Sequence, residues 1–304
     1  MRRLIQAKDR PWLALPYHPK RSDKRCSSMS FQSVSSNKIY HRKLPGVGGS
    51  KTICGSSAGF LVMFQLPSVS TSLRPKDSID TQNYFVHKAV LSSPPDCNPY
   101  DYVLMVIYGE KRELAYYEAK SRTWTKLQEA GRYYDDVIFH KGEFYAVDEY
   151  GKLVVCQPCS LPIVLEIAMP WLLRGSKVYL VGMEDSLCVV IRFLNDNPSV
   201  GYETYKFEVR LLEPNEQWTH LGSIEDWAFF LGQNESAALP VEDLKGLKDD
   251  RIYFTDDNSD ACKYGVIGGH DSGVFDMGEE SFQPLEYCQC PRPVWLTPEN
   301  RPSA

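Results

Sequence analysis

The stretch that decides the fold is DVIFHKGEFYAVDEYGKLVVC, residues 136–156. Apolar runs at Val137–His140, Phe144–Val147 and Leu153–Cys156 are separated by the turn residues Lys141-Gly142 and Glu149-Tyr150-Gly151. Short apolar runs joined by turns of about two to four residues predict antiparallel strands. No helix of ordinary length fits between these glycines. The stretch therefore predicts a three-stranded β-meander.

The same pattern recurs along the chain. The further runs are Tyr102–Tyr108, Leu114–Glu118, Trp124–Leu127, Lys177–Val181, Leu187–Phe193, Tyr205–Leu212, Trp218–Leu221, Gly273–Asp276 and Phe282–Leu285. Repeated four-stranded meanders are typical of a β-propeller, in which each sheet buries its faces against its neighbours. At about 40 to 50 residues per blade, the 304 residues predict an all-β propeller of about six or seven four-stranded blades.

Three aromatic residues and three loops complete this prediction. Trp124, Trp218 and Phe282 occupy similar positions in the repeats, which indicates packing between blades. The loops near residues 94–96, 195–199 and 258–263 lie between apolar runs and are expected to form the rims. Propellers usually bind their partners at a rim.

Composition excludes several classes of protein. Apolar residues make up 43% and charged residues 24%, and no apolar stretch reaches the roughly 18 residues of a membrane-spanning helix. The basic N-terminus lacks the apolar core of a signal peptide. Nine scattered cysteines are typical of thiols in a reducing compartment. We therefore expect no membrane contact and a cytoplasmic or nuclear location.

The charge is unevenly distributed. Residues 1–51 carry a net charge of +10 and residues 52–304 a net charge of −15. A basic leader can attract nucleic acid or an acidic partner, but a solvated arm on an acidic body explains it equally simply. Since no nucleic-acid-binding motif accompanies the charge, we expect no nucleic-acid partner.

Metal and phosphate motifs are incomplete. Cys156 and Cys159 have the spacing of one zinc-binding pair, but Cys288 and Cys290 are too close together to form the second. The stretch GVGGSKT, residues 46–52, lacks the spacing of a phosphate-binding loop.

Catalytic motifs are equally weak. The stretch GSSAG, residues 55–59, matches the Gly-x-Ser-x-Gly motif, which places its serine, here Ser57, on a turn from a strand into a helix. The apolar run that follows predicts a strand instead. Acidic pairs at residues 135–136, 148–149, 184–185, 249–250 and 256–257 suggest a glycosidase, yet turns and strand ends account for all of them. The sequence thus predicts no catalytic, cofactor-binding or metal-binding residue, and no enzyme.

Six motifs in a fixed order resemble one known family. They are CGSSAGFL (54–61), KAVLSS (88–93), DVIFHKGEFYAVD (136–148), LGQNES (231–236), IYFTDD (252–257) and GVFD (273–276). They resemble the propeller of plant F-box proteins of the domain-of-unknown-function type, whose best-known members are the kink-suppressor kelch-like proteins of brassinosteroid signalling. The resemblance covers about residues 12 to 290.

The resemblance implies a non-enzymatic specificity subunit of a cullin ubiquitin ligase. In that family an F-box binds a Skp-type adaptor and the propeller holds a target, in the best-known members a glycogen-synthase-kinase-3-like kinase. This chain starts where an F-box would have ended, and Gln65 runs directly into Leu66-Pro67. We therefore expect a basic leader at 1–11, a propeller at 12–290 with one early blade incomplete, a tail at 291–304, and no adaptor recruitment.

The leading hypothesis is a target-binding propeller. The alternative is a carbohydrate-binding or glycoside-hydrolysing propeller, suggested by the acidic pairs and the aromatic residues.

Overall fold

The computed structural model describes residues 11–15, 28–44, 51–65, 86–157, 177–244, 246–258, 269–285 and 293–297. Apart from two three-residue 3-10 turns at Gln128–Ala130 and Val241–Asp243, every regular element in these ranges is a strand. None of the described residues form a helix long and apolar enough to cross a membrane. The strands in the first half are β1 (Trp12–Leu15), β2 (Ser28–Ser33), β3 (Ile39–Lys43), β4 (Lys51–Ser57), β5 (Phe60–Gln65), β6 (Val86–Leu91), β7 (Val103–Tyr108), β8 (Glu113–Glu118), β9 (Thr123–Lys126), β10 (Tyr134–His140), β11 (Glu143–Asp148) and β12 (Leu153–Cys156). Those in the second half are β13 (Lys177–Met183), β14 (Ser186–Asn197), β15 (Gly201–Leu212), β16 (Trp218–Leu221), β17 (Trp227–Leu231), β18 (Ala237–Pro240), β19 (Arg251–Phe254), β20 (Gly273–Asp276), β21 (Ser281–Pro284) and β22 (Val294–Leu296).

The described strands form five blades and one hairpin. Blade I has the order β22-β1-β2-β3, blade II β6-β7-β8-β9, blade III β10-β11-β12, blade IV β13-β14-β15-β16 and blade V β18-β17-β19-β20-β21. Strands β4 and β5 pair only with each other. The all-β propeller is confirmed, but the described strands form five blades, so the prediction of six or seven is wrong. Blade V spreads five strands over residues 227–284, more chain than the predicted spacing allowed.

The sheets close into a ring because each buries apolar side chains against the next. Between blades I and V the shared cluster includes Leu13, Phe230 and Trp295. Between blade I and the β4–β5 hairpin it includes Phe31 and Leu61. Corresponding clusters join the hairpin to blade II, blade II to III, III to IV and IV to V. The β4–β5 hairpin thus occupies a sector of the ring, and the core is divided among the interfaces between sheets.

Both ends of the described chain meet in blade I. Strand β22 pairs antiparallel with β1, with Trp12 opposite Leu296 and Ala14 opposite Val294. A strand of the propeller therefore lies within residues 291–304, beyond the boundary predicted at residue 290. Residues 1–10 and 66–85, which include the predicted leader and the segment after the β4–β5 hairpin, lie outside the described residues. The incomplete early blade stays a prediction.

The meander of residues 136–156 is confirmed as blade III. Strands β10 and β11 pair from Asp136–Val147 to His140–Glu143. Lys141 and Gly142 both have positive φ, 48° and 85°, as a two-residue type I′ hairpin turn requires. Strand β12 then pairs with β11.

Candidate functional site

A buried group of polar side chains lies where the innermost strands approach one another. This central polar cluster consists of Ser57, Lys88, Asp136, Glu235 and Ser236. Lys88, 3% exposed, forms an ion pair with Asp136, which is fully buried. Asp136 Oδ2 also accepts hydrogen bonds from Leu180 N at 2.9 Å and Ser236 Oγ at 3.1 Å. Burial raises the pKa of Asp136, and the Lys88 ammonium opposes that rise.

The segment between β17 and β18 supplies the rest of the cluster. Glu235 N donates to Ser56 O at 2.8 Å, and the Glu235 carboxylate accepts Ser57 Oγ at 2.6 Å and Phe139 N at 3.3 Å. Glu235 thereby joins blade V to the β4–β5 hairpin and to blade III. Since these partners satisfy its carboxylate, the cluster has the character of a structural connection between sheets.

Asn234 belongs to the same segment. Its side chain is fully buried, and Nδ2 donates to Phe230 O at 3.3 Å and to Glu235 O at 2.7 Å. The glycosylation sequon that begins at Asn234 is therefore inaccessible in the folded protein.

A second buried network joins blades IV and V around Arg192. The guanidinium is 1% exposed and donates to Asp271 Oδ2 at 2.9 Å, Thr255 O at 3.1 Å and Thr204 Oγ1 at 2.6 Å. Its carbon lies 4.8 Å from the centre of the Phe254 ring. Asp257 faces Lys177 Nζ at 2.9 Å. These charges are paired within the fold, as buried charges must be.

These networks change the interpretation of the acidic pairs. We expected Asp135 and Asp136 at a strand end or turn, but both are inside β10 at a register shift between Tyr134 and Asp136. Such a bulge directs neighbouring side chains differently from regular pleating. Asp135 pairs with Arg112 and accepts Val178 N at 3.1 Å, and Asp136 pairs with Lys88.

The carbohydrate alternative loses much of its motivation, since Asp135, Asp136 and Asp257 bind cations of the fold and Asp256 accepts the Tyr202 hydroxyl at 2.6 Å. The other chemistry weighed from the sequence is structural as well. Ser57 lies in the β4–β5 hairpin and its hydroxyl accepts Leu91 N at 2.9 Å. Cys156 is buried, which raises its pKa to about 12. The described residues contain no group of three or more acidic, histidine or cysteine side chains placed to hold a metal. Cys159, Cys288, Cys290 and residues 46–50 lie outside the described residues.

Two exposed tyrosines lie in the connection from blade II to blade III and in the turn between β11 and β12, and blade II exposes Tyr100 and Trp124 as well. Tyr133 is 41% exposed and Tyr150 is 70% exposed. Tyr133 N donates to Lys111 O at 2.8 Å, and Glu149 N donates to Tyr133 O at 2.9 Å. Tyr133 therefore sits between the turn that follows β7 and the turn that follows β11. We call Tyr133 and Tyr150 the tyrosine surface.

A partly buried ion-pair group supports the tyrosine surface. Arg112, whose side chain is 16% exposed, binds Asp135 and also Glu149, the latter at 2.5 Å. Tyr133 has φ of 66°, a conformation that is strained for a bulky side chain and is held only by its surroundings. Exposed aromatic residues on a rigid support are characteristic of the centres of protein interfaces. The arrangement is suited to contact with another protein.

The structure confirms some of the predicted loops and aromatic contacts and contradicts others. In the predicted rim loop at 94–96, Pro94 and Pro95 are buried, and the exposed stretch is residues 96–100, with Tyr100 67% exposed. Residues 195–199 form the tip of the β14–β15 hairpin, and residues 259–263 lie outside the described residues. Trp124 is 58% exposed on the edge strand of blade II, so the prediction that it packs between blades is wrong. Trp218 packs against the apolar cluster shared by blades III and IV, and the Phe282 ring of blade V lies 6.3 Å from that of Phe207 in blade IV, so both contacts are between blades as predicted.

Sequence reasoning missed the tyrosine surface. Tyr133 and Tyr150 follow no motif, and their exposure depends on which turns the ring brings together. The signal that was present is Tyr150 between Glu149 and Gly151, since an aromatic residue in a tight turn cannot reach the core.

Comparison with known proteins gives one family. The model of the "KIB1-4 beta-propeller" family matches residues 30–276. Among curated proteins, the F-box protein At5g55150 of Arabidopsis thaliana is 27% identical over 277 residues, which cover 82% of this chain and 75% of the relative. The F-box protein SKIP23 of the same plant is 28% identical over 245 residues, covering 72% of this chain and 60% of the relative. The F-box protein At2g17036 is 27% identical over 220 residues, covering 64% of this chain and 53% of the relative. The chain thus spans between about half and three-quarters of the length of these F-box proteins.

Proposed function

This chain belongs to the KIB1-4 beta-propeller family, and from that premise we propose that it is a non-enzymatic protein-binding propeller. It resembles the part of F-box subunits that recognises the substrate of a cullin ubiquitin ligase. Its task is to hold a target protein on its surface. We place it in the cytoplasm or nucleus, where buried free thiols such as those of Cys54, Cys156 and Cys188 stay reduced.

The tyrosine surface is the observation that carries the proposal. Tyr133 and Tyr150 expose large amphipathic rings at low cost in side-chain entropy, because two torsion angles define each ring. The backbone of Tyr133 is fixed by hydrogen bonds to turns of blades II and III, and Tyr150 N donates to Asp148 Oδ1 at 2.9 Å, so little freedom is lost on binding. Interfaces concentrate their binding energy in a few such residues. We therefore assign target binding to this surface.

The family resemblance suggests one target to test first, a glycogen-synthase-kinase-3-like kinase. Recruitment of a Skp-type adaptor is a separate property and is measured separately, with the purified adaptor. The assignment of target binding to the tyrosine surface depends on neither the identity of the kinase nor the adaptor measurement.

The experiment compares two double variants that remove equal amounts of exposed aromatic surface. Tyr133→Gly with Tyr150→Ala removes the tyrosine surface, and glycine relieves the positive φ of residue 133. Tyr100→Ala with Tyr205→Ala is the matched control, since these tyrosines are 67% and 44% exposed at other places. The purified chain and both variants are immobilised, and binding of plant proteins and of the purified kinase is quantified.

We expect at least one protein to bind the unmodified chain and the control equally, and to bind the first variant at least about tenfold more weakly. Thermal unfolding of both variants should match that of the unmodified chain. Equal binding to both variants would move the site elsewhere on the propeller. If the folded chain bound no protein while a full-length relative did under the same conditions, the proposed function would be wrong.

A further inference from the structure

Strand β3, the edge strand of blade I, is exposed along its whole length. All five of its residues are exposed, and they include the apolar residues Ile39 at 47% and Tyr40 at 37% exposure. One side of the Tyr40 ring contacts Trp12 of β1, with the ring centres 4.7 Å apart. Strand β9, the outer strand of blade II, is exposed in the same way and carries Trp124, so exposure alone does not distinguish β3. Exposed apolar side chains can mark an interaction site, and in β3 they are combined with a run of cations.

The backbone of β3 also has hydrogen-bonding groups directed outward. Ser33 N donates to Lys38 O at 3.0 Å, which identifies Ser33 and Lys38 as a hydrogen-bonded pair. Pairs alternate along an antiparallel ladder, so Tyr40 and Arg42 direct their backbone groups toward β2. Ile39, His41 and Lys43 therefore direct theirs away from the sheet, where they are available to a further strand.

The charge of this edge is uniform in sign. Lys38, Arg42 and Lys43 are exposed, and residues 28–44 contain no Asp or Glu. No ion pair joins these three cations to an acidic side chain of the described residues. Residues 52–304, in contrast, carry a net charge of −15. An acidic partner is attracted to β3 and repelled by most of the remaining surface.

We propose that β3 is a docking strand that receives an extended acidic segment of a partner protein as an additional strand of blade I. The outward groups of Ile39, His41 and Lys43 pair with the backbone of the segment, as in other cases of strand addition. Lys38, Arg42 and Lys43 pair with its carboxylates, and Ile39 and Tyr40 contact its apolar side chains.

Other occupants fit less well. A second copy of β3 would place like charges opposite one another, which is destabilising. A nucleic acid would pair its phosphates with the cations, but it would leave the outward N–H and C=O groups of Ile39, His41 and Lys43 without hydrogen-bond partners. Basic residues can also simply protect an edge from aggregation, but Ile39 and Tyr40 would then defeat the protection.

The test measures binding of labelled peptides to the full chain by fluorescence anisotropy. The probe alternates Glu and Val, and the comparison probes are the same peptide with Gln for Glu and a single-stranded oligothymidylate of equal charge. His41→Pro removes one outward N–H and leaves the backbone hydrogen bonds to β2 in place, and edge strands tolerate proline. It also removes the hydrogen bond between His41 Nδ1 and Ser30 Oγ of β2, which are 3.0 Å apart. Lys126→Pro is the matched control, because Lys126 occupies an outward-facing position on β9, the edge strand of blade II, and likewise loses one side-chain contact, its ion pair with Glu113. Arg42→Glu with Lys43→Glu reverses the charge at two exposed positions, so it tests the proposal should a proline variant unfold.

We expect the acidic peptide to bind more tightly than the Gln peptide and the oligonucleotide, and more weakly at about 200 mM than at about 50 mM salt. His41→Pro should weaken its binding about fivefold or more, the charge reversal about tenfold, and Lys126→Pro should leave it unchanged. Three results would overturn the proposal: no binding of the acidic peptide, equal loss in the Lys126→Pro control, or tighter binding of the oligonucleotide that His41→Pro does not affect. The variants of this test leave Tyr133 and Tyr150 intact, so a negative result here does not contradict the proposed function. Equally, loss of binding through the tyrosine surface would not contradict the role proposed for β3.

Discussion

Replacing Asp136 by alanine should destabilise the whole propeller. The substitution leaves the Lys88 ammonium, 3% exposed, in the interior without its counter-ion, and it deprives Leu180 N and Ser236 Oγ of their acceptor. Breaking a buried ion pair on one side costs about 3–5 kcal/mol, and an unsatisfied buried N–H adds about 1–3 kcal/mol. A loss of at least about 4 kcal/mol is therefore expected, a large part of the total stability of a domain.

A double-mutant cycle measures how much of this loss belongs to the ion pair. The free energy of unfolding in urea is determined for the unmodified chain, Asp136→Ala, Lys88→Met and the double variant. Lys88→Met removes the buried charge, so the double variant should be more stable than Asp136→Ala, with a coupling energy of about 2–3 kcal/mol. Asp185→Ala is the control, because Asp185 pairs with Lys141 at the surface and its loss should leave the midpoint unchanged.

Two results would refute this reasoning. A loss below about 1 kcal/mol for Asp136→Ala would mean that water or another group reaches Lys88. A coupling energy of zero would mean that the loss comes from the hydrogen bonds to Leu180 and Ser236 alone.

Three further predictions concern single residues. A Cβ at Gly232 would overlap Thr255 Oγ1, so Gly232→Ala should cost about 1–3 kcal/mol in urea unfolding, whereas Gly222→Ala, which meets open space, should cost far less. Burial raises the pKa of Asp135 to about 6, so the folded state holds this proton at pH values where the unfolded chain has released it. The free energy of unfolding should therefore decrease as the pH rises from about 4 to about 6. Asp135→Asn should flatten that part of the stability profile, and an unchanged slope would mean that Asp135 does not cause it. Exposed Cys97 should react with iodoacetamide at neutral pH well before Cys156, whose pKa is raised to about 12, and equal rates in peptide mapping would show that blade III opens.

The local structure was predictable because turns and apolar runs are read from neighbouring residues. Lys141-Gly142 defined a hairpin, and the three strands around it have the predicted places. The blade count was not predictable, because blade V places β17 beside β19 in parallel and adds β18 on the other side, a choice made by tertiary packing. The strand β22 was missed because three apolar residues near the C-terminus carry no pattern of their own.

The sequence predicted the type of candidate site, a protein-binding surface, but not the residues that form it. The absence of a catalytic motif and the family motifs pointed to protein binding, but no local pattern distinguishes Tyr150, which is exposed, from Tyr134, which is buried. Likewise Asp135 and Asp136 read as turn residues, since acidic residues in a strand interior are rare unless a cation from another blade meets them. Lys88 and Arg112 are remote in sequence from the carboxylates they bind, so only the closed ring reveals these pairs.

The pairing of β1 with β22 has a consequence for how the protein is made. Trp12 meets Leu296, so β1 gains its second neighbour in blade I only after β22, at residues 294–296, has been synthesised. Until then Trp295 and Leu296 are missing from the clusters that join blade I to blade V and to the β4–β5 hairpin. A variant with β22 disrupted should therefore expose the apolar sides of these two neighbours to chaperones and proteases.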